Sequence, residues 1–263
     1  MSGVEPVRPV EPGAPADPWA ELRRHTPARI GLGRTGDAVP TSAVLRFEAA
    51  HALARDAVHD VLDADRLAAD LAGALGGRLP SVPPVLDSAA PDRAVYLQRP
   101  DLGRRLAPSA RTVLQARPGA ATTCDLVLVL ADGLSARAVA AHAVPTAAAV
   151  LERLPGWSVT AVVVRQGRVA VGDEVGLLLG ARFAVVLLGE RPGLSAPDSL
   201  GAYLTRDPRP GRRDSERNCV SNIRPPDGQG IEDAAATIAG LLLAADRLGV
   251  TGVRLKDDLT LPS

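Results

Sequence analysis

Two reactive side chains share the stretch from Leu187 to Pro225. Glu190 closes the apolar run ARFAVVLLGE, and Cys219 follows the arginine-rich segment RDPRPGRRDSERN. A carboxylate at the end of a buried strand needs donors. Glu190 therefore either caps the amides of the turn Arg191 to Leu194 or accepts hydrogen bonds from a ligand. A lone cysteine such as Cys219 reads as a small buried hydrophobe or as part of a ligand wall. A strand-end acid, a glycine and proline turn and a distant thiol suit the wall of a large ligand site better than a hydrolytic centre.

Other chemistries lack their partners. Ser195, His142 and Asp198 are the residue types of a hydrolase triad, but Ser195 stands in GLSAP rather than in a G-x-S-x-G turn. Gly31, Gly33 and Gly36 spell G-x-G-x-x-G, yet only Ala28, Arg29 and Ile30 separate them from Pro27. A dinucleotide fingerprint needs a full strand before the glycines and a helix opening on them. No G-x-x-x-x-G-K-[ST] occurs, and Lys256 is the only lysine. His51 and His59 are too far apart on one helix to share a metal, and Cys124 and Cys219 form no C-x-x-C pair. No metal site is predicted.

The chain has 263 residues, 46% of them hydrophobic and 2% aromatic, so a core of alanine and branched aliphatic side chains is expected. The formal net charge of +0 provides no long-range field for nucleic acid or anionic lipid, and neither is expected as a partner. No segment approaches the ~18 consecutive apolar residues of a membrane span, and no signal-peptide pattern opens the chain. A soluble, cytoplasmic protein is expected.

Residues 1–18 place proline at 6, 9, 12, 15 and 18, the period of a polyproline II helix, and read as a disordered tail. Residues 19–92 read as a helical N-terminal region. Its first helix, over 41–60, puts Val44, Phe47, His51, Ala54 and Val58 on one face, with His51 packed or interfacial. A second helix covers 63–75, and a proline-rich loop ends the region. From 93 to 263, short apolar runs alternate with helices: a strand at 94–97, a helix over 103–116 capped by Asp101, and the clearest strand at 124–133. A Ser135-capped helix divided by Pro145 follows, then strands at 158–165 and 181–190 with an extended run at 168–171 and a short helix between them. A last helix covers 231–249. Such alternation predicts an α/β domain with a mostly parallel sheet, whose ligands bind beyond the carboxyl ends of the strands, where Asp132 and Glu190 sit.

Six segments in order add a resemblance. RRHTPARIGLGRTG, YLQRPDLGRRL, DGLS, GRVAVGDEVGLLLGA, GERPGL and ERNCVSNIRP resemble the small subunit of ethanolamine ammonia-lyase. The resemblance covers nearly everything after Trp19. It implies a Rossmann-like cobalamin-binding domain over 93–263 and an adenosylcobalamin-dependent conversion of ethanolamine to acetaldehyde and ammonia by a radical mechanism. It also implies a large barrel subunit as partner, which holds the substrate while this chain covers the cofactor. The family's cobalamin contacts fall here on Val169 in GRV, Glu190 in GER and Cys219 in NCVSN. No acid, base or nucleophile is assigned to this chain. Relatives that enter bacterial microcompartments carry a longer leading extension than these 18 residues, so encapsulation is left open. The alternative reading is a stand-alone, non-catalytic α/β protein that binds cobalamin or a nucleotide.

Overall fold

The structure is a computed structural model that describes residues 17–116 and 123–255. The proline-rich tail expected over 1–18 lies, apart from Asp17 and Pro18, outside the described residues. Two compact units divide between Ala50 and His51, inside a helix.

The first unit holds a short helix α1 (Ala20–Arg23) and the start of α2 (Thr41–His59). Between them run the three glycines of the G-x-G-x-x-G string. Gly31 has a φ of 56°, and a Cβ there would lie 2.1 Å from Trp19 Cγ, so this glycine makes room for an indole. The α2 stripe is only partly buried. Ala54 is covered, but Val44 and Phe47 remain 38% and 45% exposed, so the expected packed face does not extend to the start of the helix.

In the second unit, α3 (Ala64–Leu75) begins at Asp63, whose carboxylate accepts the Arg66 amide at 3.0 Å. Its buried residues Ala64, Leu67, Ala68, Leu71 and Leu75 follow the helical spacing. The short strand β1 (Val85–Asp87) comes next, inside the stretch read as a proline loop. The expected strand at 94–97 is instead a helix, α4 (Arg93–Gln98), because Asp92 caps it by accepting the Val95 amide at 2.8 Å. Asp101 caps no long helix either. Its carboxylate is held by Arg99, the chain makes a single 3-10 turn at Leu102–Arg104, and α5 (Pro108–Gln115) starts later with Pro108 in its first turn.

β2 (Cys124–Ala131) is the central strand. Ser135 caps the helix that follows by accepting the Ala138 amide at 3.3 Å. That helix is divided as expected, but by a wide π turn: α6 (Ala136–Ala138) passes through Val139–Ala143 into α7 (Val144–Glu152). The wide turn comes just before Pro145, which has no amide hydrogen to offer the preceding carbonyls. β3 (Val159–Arg165), α8 (Val171–Leu178) and β4 (Ala181–Gly189) follow. The run at 168–171 is no strand but the turn that leads into α8. The chain then makes β5 (Leu200–Arg206), β6 (Asn218–Ile223) and α9 (Ile231–Leu248).

Among the described residues, six strands form one sheet in the order β1-β3-β2-β4-β5-β6. The first four in that order run parallel, while β5 and β6 are antiparallel to their neighbours. This is the expected α/β architecture with a mixed edge. Side chains alternate across it: Leu126, Leu128 and Leu130 meet α3, α7 and α9, whereas Val127, Val129 and Ala131 meet α5 and α8. Each fully buried valine or leucine side chain contributes about 1.5–3 kcal/mol. The connection leaving β2 crosses one face and that leaving β3 crosses the other, so a crevice opens where their carboxyl ends part. Among the described residues, no helix is long and apolar enough to cross a membrane.

Candidate functional site

That crevice is a cleft of about 730 Å³, within the usual size of a small-molecule site. Val169, Glu190 and Cys219 all line it, although they come from three separate parts of the chain. Val169 stands on the turn between β3 and α8 and packs against the core of that face. Glu190 is the first residue after β4, and Cys219 lies on β6.

The sheet fixes the acid. Glu190 Oε2 accepts the Ser199 hydroxyl at 2.5 Å and the Asn222 amide at 3.2 Å. Both of these partners lie outside the turn Arg191 to Leu194. The Asn222 amide is free for the task because the β5–β6 ladder shifts register between Leu200 and Ala202. Asn222 has a φ of 59° there, and a bulge of this kind re-aims backbone groups out of the ladder. Glu190 Oε1 stays on the side of Gly201, where a Cβ would come within 2.8 Å of it.

Cys219 is exposed, and Tyr203 is its partner on the neighbouring strand. Desolvation raises the thiol pKa, the charge of Glu190 adds to that, and the hydrogen bond from Tyr203 opposes it. Burial likewise raises the Tyr203 phenol, with the Cys219 and Glu190 charges contributing. Both groups are held neutral and can donate or accept hydrogen bonds.

The opposite wall is built around Tyr96, which is fully buried and donates to the Gly167 carbonyl at 2.9 Å. The guanidinium groups of Arg93 and Arg168 stack on its ring, at 4.9 and 4.5 Å from the centroid. Arg93 also donates to the Val58 and Gly133 carbonyls, each at 2.8 Å, and approaches Asp132 at 3.4 Å. Asp132 accepts the Gly167 amide at 3.2 Å. Its pKa is pushed up to about 6, because burial outweighs the Arg93 charge and the backbone donors. Asp132 thus ties the end of β2 to the turn after β3 and leaves the cleft to Arg168 and Val169. Below the cleft, Arg217 meets Asp173 in a buried bidentate pair at 2.6 and 2.6 Å and donates to Thr205 at 2.8 Å.

His142 and Asp198, two of the hydrolase residue types, make no hydrogen bond to each other. His142 is on the π turn with its Nε2 4.0 Å from Asp198, which is too long for a hydrogen bond, and Asp198 also approaches Arg224 at 3.8 Å. Burial lowers the His142 pKa. Among the described residues, no group of three or more His, Cys, Asp or Glu could hold a metal ion.

Sequence reasoning overlooked Tyr96, Tyr203 and Arg168. A signal was available: the chain has only two tyrosines, and both line this cleft.

The comparisons agree on one family. The family described as Ethanolamine ammonia-lyase light chain (EutC) matches residues 16–256. A protein of Azotobacter vinelandii named ethanolamine ammonia-lyase small subunit is 52% identical over 252 residues, covering 93% of this chain and 90% of its own length. Relatives with the same name from Pseudomonas syringae pv. tomato and Bradyrhizobium diazoefficiens are 50% and 52% identical, covering 98% and 94% of this chain and 89% and 94% of their own lengths. With nearly the whole chain matched, and its sheet and cleft built from the matched residues, the protein belongs to the ethanolamine ammonia-lyase light chain family.

Proposed function

We propose that this chain is the small subunit of an adenosylcobalamin-dependent ethanolamine ammonia-lyase, which binds and covers the cofactor while a large barrel subunit holds ethanolamine. The observation that carries this reading is the convergence of Val169, Glu190 and Cys219 on one cleft at the carboxyl ends of the strands. The cleft fits one side of a corrinoid. A corrin has an apolar face fringed with amides, and the cleft offers Val169 and Leu188 for packing beside polar groups at its rim.

When bound, the cofactor supplies the radical chemistry that converts ethanolamine to acetaldehyde and ammonia. The residues of this chain bind, orient and exclude water. Oε1 of Glu190 accepts an amide hydrogen, while Ser199 and Asn222 hold the other oxygen in place. Cys219 and Tyr203, both neutral, meet a polar edge, and Val169 packs against the ring face. Substrate handling lies on the partner. The cleft is open, and a second surface closing over it keeps water from the reacting centre.

Co-expression with a large subunit tests the reading. The two chains are expected to co-purify and to deaminate ethanolamine only when adenosylcobalamin is added, and the isolated small chain to be inactive. Failure of the chains to associate, or lyase activity of this chain alone, overturns it.

A further inference from the structure

Val169, Glu190 and Cys219 do not account for the positive charge of the cleft. Arg104, Arg168 and Arg191 line it, and among the described residues none of the three forms an ion pair with a carboxylate. Of the two acids in the lining, Glu190 is held by the neutral donors Ser199 and Asn222 and pairs with none of the three arginines, and Asp214 approaches Arg217 at 3.8 Å. Unpaired guanidinium groups in a crevice attract an anion, and their planar fork matches phosphate oxygens.

Arg168 is held in place before any ligand arrives. Its guanidinium stacks on the buried Tyr96 ring, and its amide donates to the Gly103 carbonyl at 2.7 Å. A Cβ at Gly103 would lie 2.8 Å from Arg168 Cγ and 2.7 Å from Tyr96 Cε2, so only glycine lets the arginine stem cross that turn. Arg168 Nε is buried without a hydrogen-bond partner, a donor that the protein itself leaves unused. A side chain already ordered loses little entropy on binding.

We propose that Arg168, with Arg104 from the adjoining turn, forms a phosphodiester subsite in this cleft. It deepens the cofactor reading above and rests on it: the corrin fringe is uncharged amide, and the anion of cobalamin is the phosphodiester of its nucleotide loop. Arg168 precedes Val169 directly, so the anion anchor and the apolar contact for the ring come from one turn.

The test is titration of the co-expressed complex with cyanocobalamin and with cobinamide, the corrinoid that lacks the phosphodiester and its base. Arg168→Met is expected to weaken cyanocobalamin binding by about tenfold or more and to leave cobinamide within about twofold. Arg168→Lys, which keeps the charge and loses the fork, recovers part of the loss. Arg104→Met leaves the Tyr96 stack intact and is expected to show the same selectivity, so it decides the matter if Arg168→Met does not assemble. Equal weakening for both corrinoids, or no change for either, overturns the subsite. A wild-type complex that binds neither corrinoid overturns the cofactor reading itself, a result distinct from binding that is independent of Arg168.

Discussion

Ser199 donates its hydroxyl to Glu190 Oε2 across 2.5 Å, and the same oxygen takes the Asn222 amide. The carboxylate therefore has a structural oxygen and a free one, and substitutions can separate the two. Glu190→Gln keeps an acceptor toward Ser199 and replaces the other oxygen by NH2. It is expected to stay within about 1 kcal/mol of wild type in stability while losing corrinoid affinity. Glu190→Ala removes both roles and is expected to cost about 1–3 kcal/mol as well. Thermal unfolding alongside corrinoid titration checks the split.

Gly103→Ala brings a methyl group against Tyr96 and Arg168 at less than 3 Å. The expected cost is about 1–3 kcal/mol, read as a lower urea midpoint with an unchanged slope.

The buried pair of Asp173 and Arg217 is expected to be the most sensitive polar contact near the cleft. Asp173→Ala leaves an uncompensated guanidinium in the interior and is expected to cost about 3–5 kcal/mol. The double variant Asp173→Leu with Arg217→Met should recover much of that in a urea series, because it removes both charges together.

Asp132 gives the fold a pH dependence of defined sign. Its folded pKa of about 6 lies above the ordinary 3.8, so the folded state holds its proton more tightly than the unfolded chain does. The stability linked to this group is fully present below pH ~4 and is lost as pH rises through about 6, an effect on the order of 2–3 kcal/mol. Asp132→Asn is expected to flatten that part of the stability profile, measured by urea denaturation from pH 4 to pH 8.

The two thiols should label in a fixed order. Cys124 is partly buried and its pKa is pushed up to about 11 by desolvation and the neighbouring Asp125, whereas Cys219 is exposed. Iodoacetamide is expected to modify Cys219 first, and added corrinoid to slow that reaction in the complex without affecting Cys124. Peptide mass spectrometry reads both sites.

Much of the sheet was legible because its strands are buried on both faces. Continuous runs such as CDLVLVLA and ARFAVVLLG admit few alternatives when bounded by turns, and Ser135 and Asp63 carry standard cap chemistry. AVYL was misread because four apolar residues fit a strand or a buried helix equally well, and Asp92, which decides between them, had not been weighed as a cap. β1 was hidden because the three residues after Pro84 carry no period, and only pairing with β3 makes them a strand. At the site, Val169 has no local signature, and its three-residue motif entered only through the family resemblance. Tyr96 and Arg168 stayed out of view because their stacking joins segments that are remote in sequence.

The register shift between β5 and β6 has a consequence for how this rim tolerates change. Beside the Ser199 hydroxyl, Glu190 is held by a main-chain amide at 222, where the left-handed φ of 59° suits asparagine or glycine and strains β-branched residues. The address of the acid is thus written in the count of residues along β6 as well as in a side chain, that of Ser199. Asn222→Gly should leave the acid in place, whereas deleting a single residue from the bulge would exchange the outward Cys219 with the inward Val220 and dismantle two walls of the cleft at once.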